Sequence, residues 1–159
     1  MNDKSAQATA RIGHVNLCVA DLARSLAFYR DTLRMRVTKL MSDAAFLAFE
    51  DYHHDLCINT WHSKGGSPRP KGTTGLYHFA AVYRDFDDFQ AACRRVLAAG
   101  IEIDDVVDHD VSLSVYLRDP DRNGVELYWD RPRSHGWSEG EIDMGYRRIP
   151  IGRLLDEKT

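Results

Sequence analysis

The chain repeats itself. Leu76–Tyr83 (LYHFAAVY) reads as a strand with His78 in its middle, followed by Asp85 and an amphipathic stretch through Phe86, Phe89, Cys93, Val96 and Leu97 that stops at Gly100. Moved back by 64 positions, His78 falls on His14 and Asp85 on Asp21. The helical stretch falls on one carrying Leu22, Leu26, Tyr29 and Leu33, with Phe28 beside them. In the first half, Arg11–Val19 (RIGHVNLCV) alternates, with Ile12, His14, Asn16 and Cys18 on one face. Each helix precedes three strand-like runs: Met35–Leu40, Ala45–Phe49 and Leu56–Trp61, then Ile101–Val107, Ser112–Leu117 and Val125–Trp129. The order β-α-β-β-β therefore occurs twice, and a unit of this kind buries its apolar face against its copy. The fold class is α+β: two βαβββ modules forming paired curled sheets around a cavity, with the helices outside.

Boundaries follow from composition. The Gly-, Pro-, Ser- and Lys-rich stretch His62–Gly75 (HSKGGSPRPKGTTG) marks a linker over 62–75, between modules at 11–61 and 76–130. Together they make a single domain over 11–133, flanked by a disordered leader at 1–10 and a C-terminal tail at 134–159. A chain of 159 residues, 43% hydrophobic and 28% charged, is long enough to bury a core. Its net charge of −3 gives no electrostatic case for nucleic acid or an anionic membrane surface, and no apolar run reaches membrane-span length. The polar leader MNDKSAQATA lacks an apolar signal core, which implies a cytoplasmic protein. Cys18, Cys57 and Cys93 are widely spaced and odd in number, so they read as small buried hydrophobes rather than a disulfide or zinc framework.

Most of the chemistry lies between Val107 and Asp130. Val111, Leu113, Val115 and Leu117 alternate with Ser112, Ser114, Tyr116 and Arg118, as in a half-buried strand. Asp119-Pro120-Asp121-Arg122-Asn123-Gly124 is a turn, with Asn-Gly suited to positive φ. In the next strand Val125, Leu127 and Trp129 are apolar, while Glu126, Tyr128 and Asp130 take the other face. A mid-strand carboxylate among large hydrophobes needs a partner, and a metal ion is one of the few that offset its desolvation. His14 and His78 stand at equivalent positions of the two modules and Glu126 on the last strand. Two histidines and a carboxylate converging on one cavity make a facial metal triad. A lone strand histidine is more often a packed structural residue; two at repeat-equivalent positions with a mid-strand acid reverse those odds.

These residues resemble the vicinal oxygen chelate superfamily over residues 11–133, a family that includes glyoxalases, epimerases, bleomycin-resistance proteins and extradiol dioxygenases. Within it, the chain most resembles one-domain versions of the type I extradiol catechol dioxygenases. The matching signature is His109, Val115-Tyr116, Asp119-Pro120 and Glu126; Arg122 departs from it, standing where Gly or Pro is usual. The tail 134–159 has no identified counterpart. The resemblance implies that His14, His78 and Glu126 bind Fe(II) or Mn(II), leaving a face open for a catechol-type aromatic substrate and O2. It implies that His54, in His54-Asp55-Leu56, is the acid/base group, and that His109 and Tyr116 hydrogen-bond the substrate. His53 and His62 read as solvated loop-edge residues, and His135 has no signature.

Two alternatives stay open. Glyoxalase- and epimerase-like lyases or isomerases of this superfamily use a fourth ligand from the last strand of the first module. Aligning Trp61 with Trp129 puts Ile58 opposite Glu126, and Ile58 cannot ligate. That favours three ligands and O2 chemistry. A metal-free, drug-binding resistance protein is the third class, against which the triad itself argues. A homodimer is the expected assembly, since paired-module proteins commonly associate and the tail could exchange between subunits.

Overall fold

The computed structural model describes residues 10–133, 137–138, 141–142 and 144–157. The leader before residue 10 and His135 lie outside them. In the first module, β1 (Val15–Cys18) leads to α1 (Leu22–Leu26), which continues as a π-helical turn over Ala27–Thr32; β2 (Arg36–Leu40), β3 (Ala44–Ala48) and β4 (Leu56–Asn59) follow. In the second, β5 (Phe79–Tyr83) leads to α2 (Phe86–Ala98), then β6 (Ile103–Asp108), β7 (Ser112–Arg118) and β8 (Gly124–Asp130). After these come a short ladder of β9 (Trp137–Ser138) and β10 (Glu141–Ile142), then β11 (Arg147–Arg148) and α3 (Ile151–Asp156).

The repeat holds in three dimensions. The first sheet runs β1-β4-β3-β2 and the second β5-β8-β7-β6, extended by β11 at its far edge. In each, the opening strand lies parallel to the last, β1 on β4 and β5 on β8, while the remaining module pairs are antiparallel. This is the α+β architecture of two paired βαβββ sheets. Both opening strands are shorter than their sequence pattern suggests, so His14 and His78 sit immediately ahead of β1 and β5 rather than inside them.

One face of each opening strand enters the core. Val15, Leu17 and Val19, with Phe79, Ala81 and Tyr83, pack into one cluster with Leu26, Phe28, Tyr29, Phe86, Phe89 and Val96 of the helices. The alternate positions, Asn16 and Cys18 on β1 and Ala80 and Val82 on β5, are exposed. Cys18 thus departs from the expectation of three buried thiols, since its strand parity turns it away from the helices; Cys57 and Cys93 are buried.

The turn between β7 and β8 ties the modules together. Asp121, buried, accepts hydrogen bonds from the Ala20 amide (3.1 Å), the Arg24 guanidinium (2.6 Å) and the Ser25 hydroxyl (3.1 Å) at the start of α1. Asp119 accepts from the Tyr29 hydroxyl at 2.7 Å. The π-helical turn, closed by the Leu33 amide on the Phe28 carbonyl, carries Tyr29 to that contact. Within the turn it is Arg122, not Asn123 or Gly124, that takes the left-handed conformation (φ 65°). Gly124 serves a different purpose: a Cβ there would lie within 2.1 Å of the Tyr77 carbonyl and 2.8 Å of the His78 Cβ. Its bare backbone lets the Tyr77–His78 segment press against β8.

Residues 144–157 lie on the second module. β11 pairs with β6, Arg147 opposite Asp108 and Arg148 opposite Val107. α3 packs on α2, where Gln90 donates to the Leu154 and Glu157 carbonyls (2.8 and 2.9 Å) and Leu154 is fully buried.

Candidate functional site

The parallel register of β5 and β8 sets Ala80 beside Glu126, so the carboxylate reaches back along the exposed face toward the start of β5. There the Nε2 of His78 lies 3.0 Å from the Oε2 of Glu126. The other ring nitrogen, Nδ1, is buried with no hydrogen-bond partner. A buried ring nitrogen without a partner is unusual, and the Nε2 edge of the imidazole and the carboxylate, aimed at each other, are a nitrogen–oxygen donor pair suited to a divalent transition ion. Their 3.0 Å separation is also that of neighbouring ligand atoms each about 2.1 Å from one ion. These two residues fit a metal.

Tyr116 faces Glu126 across the β7–β8 ladder, its ring centre 5.6 Å from that of His78. Its hydroxyl is 3.0 Å from Nε2 of His109, whose Nδ1 is 2.8 Å from the Gly145 carbonyl. A carbonyl only accepts, so Nδ1 carries the proton and donates it, and Nε2 accepts from the tyrosine. Burial, and then the nearby Glu126 carboxylate, push the Tyr116 phenol up to about 12. It stays protonated at neutral pH.

His14 and His54 belong to the other sheet. His14 is exposed, with its ring centre 4.5 Å from that of His54. His54 is half-buried and stands edge-on to Phe46 at 5.1 Å. Its imidazole is held below its ordinary value, first by desolvation and then by the neighbouring His14 and His53 charges. His53 is exposed in a loop, as expected, and its Nδ1 is also 2.6 Å from that of His54, so one of the two donates to the other. Both rings lie in the loop before β4, where strand alternation does not separate them.

One cavity of about 830 Å³ between the modules is lined by His14 and His78, together with Phe49, Tyr52 and Phe79. A second, of about 320 Å³, opens on the other side of His78 against Tyr77, Tyr116 and Tyr146. His78, Glu126, Tyr116 and His109 are thus one connected group, and His14 with His54 a second, from which His14 lines the larger cavity. His14 does not join His78 and Glu126 directly; among the described residues no three His, Cys, Asp or Glu side chains stand close enough to hold a metal ion together.

The register also replaces one residue of the sequence alignment. Asn16 pairs with Cys57 as Ala80 pairs with Glu126, so the first-module counterpart of Glu126 is Cys57 and not Ile58. Cys57 is buried, and desolvation raises its thiol pKa. Gly145 and Tyr146 escaped the sequence reading altogether, because a lone Gly-Tyr after the repeat carries no periodic signal.

Comparison with known proteins agrees with this architecture. Residues 11–127 match the model of the Glyoxalase/Bleomycin resistance protein/Dioxygenase superfamily. The chain is 37% identical over 149 residues to a catechol-2,3-dioxygenase of Bacillus subtilis, spanning 92% of this chain and 51% of that one. It is 31% identical to a biphenyl-2,3-diol 1,2-dioxygenase of Rhodococcus globerulus, over 77% of this chain and 64% of that one. A lactoylglutathione lyase of Haemophilus influenzae is 28% identical, over 79% of this chain and 97% of that one. The chain therefore spans between half and two-thirds of the length of these dioxygenase relatives. Among solved structures, a glyoxalase/dioxygenase from Nostoc punctiforme superposes with a TM-score of 0.64 at 22% identity, covering 77% of this chain and 92% of that one. Two βαβββ sheets in one chain, matched over most of its length, place it: the chain belongs to the glyoxalase/bleomycin resistance protein/dioxygenase superfamily.

Proposed function

We propose that this chain is an extradiol dioxygenase that opens a catechol-type aromatic ring with O2, using Fe(II) or Mn(II) held by His14, His78 and Glu126. The observation that carries this reading is the His78–Glu126 pair at 3.0 Å, on the sheet face that also bears the Tyr116–His109 hydrogen bond. The 37% identity to a catechol-2,3-dioxygenase supports it. When bound, the ion would supply the Lewis-acid and one-electron chemistry that activates a catechol toward O2.

The chain's own groups handle protons and orientation. His54, its basicity lowered by burial and by its histidine neighbours, is neutral at pH 7. In the tautomer in which His54 donates its Nδ1–H to His53, its Nε2 is the bare nitrogen that takes a catechol proton and later returns it. Tyr116, a neutral phenol whose O–H is donated to His109, offers its oxygen lone pairs to a catechol O–H. Tyr77 and Tyr116, which wall the smaller cavity beside His78, limit water around the ring.

A second reading is metal-dependent isomerisation of the lactoylglutathione lyase kind, and Cys57 favours it. A residue able to ligate stands where a fourth ligand would come from, though its raised pKa opposes the thiolate form. Anaerobic loading with Fe(II), followed by catechol and air, separates the two. O2 uptake with a yellow ring-opened product is the expected result. Thiol-dependent isomerisation of a 2-oxoaldehyde without O2 uptake would move the assignment to the isomerase class.

A further inference from the structure

The C-terminal segment brings an aromatic wall to the site, and we infer that Tyr146 restricts the substrate to single-ring catechols without an anionic substituent. The inference rests on the function proposed above and names the substrate of that same site.

The segment is fastened along β6. The Gly145 amide donates to the His109 carbonyl (3.0 Å), and the Gly145 carbonyl accepts from the His109 ring (2.8 Å). The Ile149 amide donates to the Val106 carbonyl at 3.0 Å. Arg147 pairs with Asp108 at 2.9 Å and Arg148 with Asp105 at 2.8 Å. The Tyr146 hydroxyl donates to the same Asp105 at 3.0 Å. Its ring is thereby held 5.8 Å from that of His109, while 65% of the residue remains exposed. An anchored tyrosine that buries so little of its ring contributes little to the core, and the open side faces the smaller cavity.

That cavity is lined by His78 and Tyr116 and, as further aromatic walls, by Tyr77 and Tyr146. Its volume of about 320 Å³ lies at the small end of ligand sites, which run from about 300 to 1,000 Å³. Offset or edge-on packing against the tyrosines suits one planar ring. The charges at the rim are already used: Arg118 is paired with Asp104 at 2.7 Å and Arg148 with Asp105. A ring carboxylate would meet two paired acids and no uncommitted arginine among these lining residues, an arrangement that disfavours it.

The test measures anaerobic binding to the Fe(II)-loaded protein by tryptophan fluorescence, using catechol, its 3-phenyl derivative and its 4-carboxylate. Wild type should bind catechol at least ~10-fold more tightly than either analogue. Tyr146→Ala should narrow the gap for the phenyl derivative about 10-fold and leave that for the carboxylate in place. Tyr146→Phe should retain the wild-type order. An unchanged phenyl-to-catechol ratio in a folded Tyr146→Ala protein that still binds catechol overturns this inference and leaves the dioxygenase reading standing. Tighter binding of the carboxylate than of catechol by wild type also overturns it. Failure of any catechol to bind overturns both.

Discussion

Cys57 occupies on β4 the position that Glu126 occupies on β8: each is the partner of the second residue of its module's opening strand, Asn16 in one and Ala80 in the other. The site is therefore asymmetric by substitution rather than by topology. One module presents a carboxylate beside His78; the other presents a thiol that burial keeps protonated. Cys57→Ala should leave metal content unchanged at one ion per chain and cost stability only through the small void it opens, about 1 kcal/mol. Elemental analysis beside thermal melting checks this. Loss of metal in a folded Cys57→Ala protein would identify a four-ligand site.

Gly124 sets the position of His78 from across the sheet. Its missing side chain admits the Tyr77 carbonyl, and backbone cannot move aside as a flexible side chain could. Gly124→Ala should push the Tyr77–His78 segment off β8 and weaken metal binding at least ~10-fold, while the core cluster stays formed. Metal titration of the variant together with its circular dichroism measures the two effects separately. Wild-type affinity in Gly124→Ala would show that His78 is placed by other contacts.

The attachment of the C-terminal segment depends on pH through Asp108. Burial alone would raise this carboxyl, but hydrogen bonds from Arg147 and the Asp110 amide, with the charge of Arg131, outweigh it and hold it below the usual carboxylate range. A depressed folded value means that the ionised form favours the fold. That contribution is complete above about pH 4, the ordinary carboxylate value, and is lost as pH falls through the lower folded value. Asp108→Asn should cost about 1–3 kcal/mol at neutral pH, and the difference in melting temperature from wild type should close in acid. A gap that stays constant down to about pH 2, well below the usual carboxylate value, would contradict this.

The repeat was legible because it is periodic: the 64-residue shift that joins His14 to His78 also joins the helix-starting Asp21 and Asp85, and both sheets follow it. The register of the last strands was not legible. Trp61 and Trp129 look equivalent in sequence, yet Trp129 packs on Phe86 at 4.8 Å inside β8, whereas Trp61 lies beyond β4 and is 47% exposed. Matching them shifts the alignment by one residue, enough to exchange a thiol facing one way for an isoleucine facing the other. The Asp119–Asp121 turn was readable as a turn, but its bonds to Tyr29, Arg24 and Ser25 span 90 or more residues and leave no local pattern. The same holds for Gly145 and Tyr146, which meet His109 only because β11 adds to an edge strand.

If His14 completes with His78 and Glu126 a single metal site spanning both modules, metal stoichiometry must depend on all three. Protein loaded anaerobically with Fe(II), freed of excess and analysed for iron should hold one ion per chain. His14→Ala, His78→Ala and Glu126→Ala should each lose it while keeping the wild-type fold. Retention of one ion per chain by His14→Ala would confine the metal to the second module, and retention by His78→Ala or Glu126→Ala would contradict the site itself.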